Sequence, residues 1–361
     1  MKKARYLVIG YGWRTDFFYR IAQLCPERFE VCAGVLRTRE RAAQVSEEKH
    51  IFATEDLEKA LETKPDFAVL CVPKAIGGEY LIRLMERGVP VLKETPPASS
   101  LEKMTALWEA KEKYGGRVQV AEQYFLQPYY AAVLQIIGQG YLGEISNISL
   151  SAVHDYHAAS VFRKVLEVGF ENCVLEGREF RFPVTQTNGR QGFVYDGTVK
   201  LAERKWGYMQ FDGGKTAFLD FSGEQYHSLI RARRWNIQGE RGEINDMAVR
   251  FLTKENLPVE QKLQRLDMGI NNNKEWALKR ILFLDKSVYE NPFYPARLND
   301  DEIAVAACLW KMKEYVDTGV EFYPLKEALQ DAYLGLMMDQ AIASGEKVRT
   351  RTQKWASGSI R

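Results

Sequence analysis

Two histidines three positions apart, His154 and His157, flank Asp155 and Tyr156 in a chain that has only 4 histidines. An imidazole titrates near neutrality, so this cluster suits proton transfer to or from a hydroxyl. Asp155 would then orient a ring; alternatively it is the N-cap of the helix that follows, and the cluster is structural. His-Asp-x-His also has metal-ligand character, but no further ligand cluster accompanies it, so no metal is expected. The second chemical signal is Gly10-Tyr11-Gly12-Trp13-Arg14-Thr15, preceded by the apolar run Tyr6 to Ile9 and followed by Phe17, Phe18, Ile21, Ala22 and Leu24 at helical spacing. Strand, glycine turn and helix is the setting in which a dinucleotide is bound. Gly10 permits the tight turn, Gly12 lets the backbone approach a pyrophosphate, and the free N–H groups at the helix start hold its charge. Thr15 stands where a third glycine or alanine is usual, and the bland alternative is a βα turn with no ligand.

A site for NAD normally places an acidic residue about twenty positions past the glycines, on the ribose 2′-hydroxyl. The strand Phe29 to Leu36 ends instead in Arg37-Thr38-Arg39. A guanidinium and a hydroxyl suit a 2′-phosphate, which favours NADP over NAD as the cofactor. Otherwise Arg37 and Arg39 are solvated residues that open the next helix.

The elements that position these residues alternate. Helix Arg39 to Glu48, strand His50 to Ala53, a helix capped by Thr54, strand Phe67 to Val72, helix Gly78 to Arg87, strand Val89 to Leu92, a helix capped by Ser99 or Ser100 and running to Tyr114, and strand Arg117 to Ala121 follow in order. Continuous apolar strands separated by helices predict a doubly wound parallel sheet covered on both faces. Ligands sit at the carboxyl ends of such strands. That nominates Gly10 to Thr15, Arg37 and Thr38, Cys71 to Lys74 (with Pro73), Lys93 to Pro96, and Glu122 with Gln123.

From about Tyr124 the pattern changes. Helix Pro128 to Ile137 precedes Ile145 to Ala152, which alternates apolar and polar residues as a strand with one wet face does. Leu175 to Arg181, Phe193 to Leu201, Gly207 to Phe211, Thr216 to Phe221 and Arg231 to Gln238 read as further strands, with turns at Asp212-Gly213-Gly214 and Glu240-Arg241-Gly242. Asp300 to Ala343 returns to helix. The expected fold is α/β: a dinucleotide-binding Rossmann domain over residues 1–122, then an α+β domain over 123–361 with an open, mostly antiparallel sheet. Arg231, Arg233 and Arg234, with Arg178 and Arg181, either meet an acidic substrate or form the wet face of that sheet.

Composition limits the rest. The formal net charge of the 361 residues is +2, which points to neither nucleic acid nor a membrane surface. No apolar run approaches the ~18 residues of a membrane span. Lys2 and Lys3 resemble the start of a signal sequence, but the apolar stretch behind them lasts four residues before the glycine turn. The 5 cysteines lack CxxC spacing, so free, buried thiols in a reducing cytoplasm are expected.

With these residues placed, the chain resembles the glucose-fructose oxidoreductase / inositol dehydrogenase family (Gfo/Idh/MocA). The likeness rests on Gly10-Tyr-Gly12, on Gly88-Val-Pro-Val-Leu-Lys-Glu94-Thr-Pro96, on Ile136-Ile-Gly-Gln-Gly-Tyr-Leu-Gly-Glu-Ile145, on Ile237 to Ile244 and on the late helices. It implies an NAD(P)-dependent oxidoreductase that moves a hydride between nicotinamide and a small polyhydroxylated substrate, with a homodimer or homotetramer built through the open sheet. Glu94 would contact the nicotinamide ribose and Gln123 the carboxamide. Two departures stand out. Thr95 occupies the position of the family lysine, leaving Lys93 as the nearest ammonium, on the same face if the strand persists. Aligning the following helix puts His157 at the family histidine and Val153 where its aspartate would be, with His154 close enough to assist. These departures motivate another reading: a nucleotide-binding sensor or partner subunit without turnover. Transient use of the cofactor in an elimination or epimerisation is a third.

Overall fold

The computed structural model describes residues 2–270 and 276–356, in two compact units. The first holds residues 1–131 and, where a single cut at 122 would end it, takes back 265–281 and 289–329. The second holds 132–264, 282–288 and 330–361.

The first unit is built on six strands: β1 (Ala4–Ile9), β2 (Phe29–Val35), β3 (Ala53–Thr54), β4 (Phe67–Leu70), β5 (Val91–Lys93) and β6 (Val118–Val120). Their order is β3-β2-β1-β4-β5-β6, and every pairing is parallel. Because β1 pairs with β2 on one side and β4 on the other, the chain reverses direction of travel there, and this switch point is where such sheets bind ligands. The central strands are largely apolar because both faces are covered: Tyr6, Leu7, Val8 and Phe67 to Leu70 have no exposed surface. Each Leu, Val or Phe among them contributes about 1.5–3 kcal/mol by burial. The Tyr6 hydroxyl is satisfied inside the core by donating to the Phe18 carbonyl at 2.7 Å.

The covering helices are α1 (Thr15–Leu24), α2 (Arg39–Lys49), α3 (Leu57–Leu61), α4 (Lys74–Glu86) and α5 (Leu101–Tyr114). Three local expectations change. Asp56, not Thr54, caps α3 by accepting from the N–H groups of Glu58 and Lys59. His50 ends α2 in a left-handed conformation, so the strand expected from His50 shrinks to Ala53–Thr54. Helix α4 begins at Lys74 rather than Gly78, because Pro73 carries a fixed φ suited to a helix start.

After α6 (Pro128–Gly138), the second unit forms a nine-stranded sheet. Its strands are β7 (Ile145–Ser151), β8 (Cys173–Thr185), β11 (Val199–Phe211), β12 (Thr216–Ser222), β13 (Arg234–Gly239), β14 (Gly242–Asn245), β15 (Ala248–Leu252), β16 (Pro258–Lys262) and β20 (Val348–Arg349). The small pair β9 (Asn188–Gly189) and β10 (Gly192–Phe193) lies between β8 and β11. The order is β16-β15-β14-β13-β7-β12-β11-β8-β20, antiparallel apart from the β7–β12 pair. The strand expected over Phe193 to Leu201 is interrupted, because Asp196 accepts from the Thr198 N–H and Gly197 takes φ +72°. Strands β8 and β11 stay paired from Phe211↔Cys173 to Val199↔Thr185, whereas β12 covers β11 only from Arg204 to Gln210. Their far end therefore projects as a two-stranded ribbon.

One sheet face carries α7 (Asp155–Leu166) and α9 (Leu325–Ser344). Lys205 on β11 pairs with Asp155 at 2.9 Å and Asp339 at 2.6 Å, and Arg163 of α7 pairs with Asp331 of α9 at 2.6 Å, both of the latter buried. A further sheet joins β17 (Gln264–Met268), β18 (Ala277–Phe283) and β19 (Lys286–Glu290). Helix α8 (Asp300–Thr318) returns to the first unit, started by a capping box between Asn299 and Glu302. All 5 cysteines are free; Cys32 and Cys71 are only partly buried.

Candidate functional site

The two glycines of the first turn have different physical jobs. Gly10 sits at φ +123°, and a Cβ there would lie 2.0 Å from the Cys71 carbonyl oxygen. It is required by the close packing of the β1 and β4 strand ends. A Cβ on Gly12 would meet nothing within 4 Å, so its backbone faces open space in front of α1. Arg14 occupies the N-cap position with no side-chain cap bond. Thr15, buried, closes the turn on itself: its hydroxyl donates to the Gly12 carbonyl at 2.6 Å and accepts from the Gly12 N–H at 3.2 Å. A hydroxyl thus does the locking where the fingerprint has a small residue. Tyr11 and Trp13 are half exposed beside the turn.

Arg14 and Glu94 were each expected to face a cofactor, and the structure pairs them with each other. The Arg14 guanidinium meets Glu94 Oε1 at 2.8 Å and Asp301 Oδ2 at 3.0 Å. Burial works against the Arg14 charge, yet Glu94 and Asp301 outweigh it and hold its pKa above the ordinary value. The other Glu94 oxygen accepts from the Thr95 N–H at 3.2 Å, and Gln127 donates to Asp301 at 3.1 Å. The Gln123 amide, oriented to donate to the Ala121 carbonyl, accepts from Arg14 at 3.3 Å. Asp301 and Gln127 were not singled out from sequence; Asp301 lies in the acidic first turn of α8.

Lys93 is neither a solvated strand end nor on one strand face with Thr95. Strand β5 stops at Lys93, and the next residues turn through a cis Thr95–Pro96 bond, so the i, i+2 argument has no strand to act on. The Lys93 side chain is buried beside Gly77 of α4, and its ammonium donates to the Glu94 carbonyl at 2.6 Å. Burial pushes its pKa down to about 8, with the Glu94 charge opposing. Cys71 contributes its carbonyl to the Gly10 contact, while Pro73 and Lys74 start α4 at the exposed surface.

At the end of β2, Thr38 is the N-cap of α2, its hydroxyl accepting from the Arg41 N–H at 3.3 Å. Arg37 is exposed. Arg41, unremarked in the sequence, lies over the Tyr11 ring at 4.4 Å, which brings a second guanidinium to the glycine turn.

In the second unit, His154 rather than Asp155 is the N-cap of α7. Asp155 is the first helical residue, held at φ +40° with its carboxylate on Lys205. His154 Nδ1 lies 2.5 Å from the Tyr226 hydroxyl oxygen, which also accepts from the His154 N–H at 3.2 Å. His157 is buried, its ring centroid 4.3 Å from that of Tyr156 and 5.1 Å from that of His154. Val153 is fully buried. Sequence reading missed Tyr226, which is 72 positions from its partner. Among the described residues no group of His, Cys, Asp and Glu could hold a metal ion.

Residues 4–122 match a family described as oxidoreductases with an NAD-binding Rossmann fold, Gfo/Idh/MocA. YteT of Bacillus subtilis (strain 168), an oxidoreductase by name, is 24% identical over 140 residues, which cover 38% of this chain and 31% of YteT. The match thus spans about a third of that relative's length. Two solved structures share the fold over nearly the whole chain. An NAD-binding oxidoreductase from Klebsiella pneumoniae has a TM-score of 0.67 at 14% identity, covering 97% of this chain and 100% of the other. A levoglucosan dehydrogenase, in complex with NADH and levoglucosan, has a TM-score of 0.68 at 13% identity, covering 98% and 100%.

Proposed function

We propose that this chain, whose residues 4–122 match the Gfo/Idh/MocA oxidoreductase family, is an NAD(P)-dependent dehydrogenase or reductase acting on a small polyhydroxylated compound. The observation that carries the reading is the open approach to Gly12, ahead of an α1 start that no side chain caps, at the switch point of the parallel sheet. A bound nicotinamide supplies the hydride donor or acceptor.

The chain's own residues divide the remaining work. Gly12 and the N–H groups at the start of α1 hold a pyrophosphate. Trp13, Pro73 and Lys74 border that approach. Glu94 and Gln123, locked in place by Arg14, present fixed polar groups at the ends of β5 and β6. Arg37, exposed at the end of β2, supports a 2′-phosphate and hence NADP, with Arg41 as a second cation. Thr38 is committed to its helix cap, which leaves the phosphate to the guanidinium groups. In the second unit His157, with His154 oriented by Tyr226, is proposed to hold and move the substrate hydroxyl proton. A cytoplasmic homodimer or homotetramer formed through the open sheet face, where Trp206 is 40% exposed, belongs to the same reading.

One observation favours the alternative of a nucleotide-binding sensor. The Lys93 ammonium is spent on the Glu94 carbonyl in a buried position, and Thr95 stands beside it without an ionisable group. Titration with NADH and NADPH, followed by a screen of polyols, sugars and 2-keto compounds for turnover, separates the two. Binding of either nucleotide with turnover that His157→Gln removes is the expected result. Binding without turnover favours the sensor, and no nucleotide binding overturns both.

A further inference from the structure

We propose that the second unit carries a subsite for the anionic end of a polyol, in the cavity between the projecting β8–β11 ribbon and the Gly223–Tyr226 turn. This names a substrate class for the dehydrogenase reading above and rests on it. The cavity has a volume of about 160 Å³, and its walls include Gln186, Thr187, Lys200, Glu224, His227 and Ser228. That is room for a carboxylate or phosphate group and its neighbouring carbons, and is smaller than the usual volume for a whole cofactor.

The charges around it are arranged unlike those of the rest of the sheet. Arg181 is paired with Glu203, and Arg204 and Arg234 both with Asp220. Arg178 donates to the Gly345 carbonyl. These guanidinium groups are spent on the fold. Lys200 is exposed, and among the described residues it pairs with no carboxylate. Partial burial, with the charges of Arg190, Arg233 and Lys200, holds the His227 imidazole below its ordinary pKa, the mark of a positive local field. Of the five arginines singled out from sequence, Arg231 donates to the Ile230 carbonyl, and Arg233, while donating to the Tyr226 carbonyl at 3.2 Å, adds its charge to this field together with Arg190 and Lys200.

Glu224 adds a second requirement. Its Oε2 is buried and has no hydrogen-bond partner among the described residues. A carboxylate oxygen in that setting is costly until a donor reaches it, and a hydroxyl is such a donor. An anionic head for Lys200 and a hydroxyl for Glu224 together describe a hydroxylated carboxylate or a phosphate ester. The same turn carries Tyr226, whose hydroxyl orients His154. An anion anchored here is held on the segment that also positions the proposed proton carrier.

The test is isothermal titration calorimetry of the full chain, with and without NADH, using glucose, gluconate and glucose 6-phosphate at low ionic strength. At least one of the two anions is expected to bind tenfold or more tightly than glucose; gluconate in the lead identifies a carboxylate, the phosphate ester a phosphate. Lys200→Met should erase the preference and Lys200→Arg should keep it, with thermal unfolding unchanged in both. Equal binding of glucose and the anions, no saturable binding of either anion, or a preference that survives Lys200→Met overturns the subsite. The readout is heat, so its failure is distinct from that of the function. A chain that binds gluconate through Lys200 yet turns over none of the screened polyols, sugars and 2-keto compounds favours the sensor over the dehydrogenase or reductase and leaves the subsite standing.

Discussion

Arg14 in the first unit and Lys200 in the second unit are both cations at places nominated for binding, and their surroundings are opposite. Arg14 is 12% exposed in its side chain and closed on Glu94, Asp301 and Gln123, with every charge answered inside the protein. Lys200 stands in the open beside a cavity, with Arg190 and Arg233 adding to its field and a carboxylate oxygen of Glu224 waiting for a donor. The first cluster is architecture: a charge network that holds the strand ends of a parallel sheet in one geometry. The second has the composition of a recognition surface. A charged residue near a site is therefore assigned by what already neutralises it, not by its type.

The largest effect should come from the glycine turn, where the same contrast occurs between adjacent positions. Gly10→Ala places a methyl group against the Cys71 carbonyl at a φ that side chains avoid, and is expected to cost on the order of 4 kcal/mol or more in denaturant unfolding. Gly12→Ala should change stability by no more than about 0.5 kcal/mol and weaken NADH binding by roughly tenfold or more. If Gly12→Ala unfolds the chain as readily as Gly10→Ala, the division between a packing glycine and a ligand glycine is wrong.

Next is the ion network. Arg14→Met strands Glu94 in a buried position, and about 3–5 kcal/mol of stability should go with it. Lys200→Met should cost less than about 0.5 kcal/mol by the same measurement. Equal losses would erase the distinction between the two clusters.

Lys93 gives a smaller and pH-dependent effect. Its folded pKa of about 8 lies below the ordinary 10.5. Between those values the unfolded chain keeps a proton that the folded chain has released, so stability should rise with pH across this window. Below pH 8 both forms are protonated and the cost of burying the charge is constant. The rise is expected to reach on the order of 2–3 kcal/mol and to vanish in Lys93→Met. Unfolding curves that run parallel for the two proteins from pH 7 to 10 would contradict it.

The smallest effect concerns cofactor choice. Arg37→Ala should lower the ratio of NADPH to NADH affinity by about tenfold, roughly 1.4 kcal/mol, in a fluorescence titration. An unchanged ratio removes the 2′-phosphate reading.

What the sequence determined about this protein is what short spacings encode. Apolar runs, alternation and the Gly10/Gly12 turn predict a parallel nucleotide domain followed by an antiparallel sheet, because strand and helix periodicities are read within a few residues. The likeness to the oxidoreductase family was legible for the same reason, since it lies in local segments. The tertiary structure decided how the candidate residues are spent. Asp301 reaches Arg14 and Tyr226 reaches His154 through folding that local spacing does not record. Lys93 is buried because α4 starts at Lys74 and brings Gly77 against it, and Asp155 leaves its capping role for Lys205. Burial and charge pairing are properties of what comes to lie next to a residue, and for these side chains that neighbour is distant in the chain.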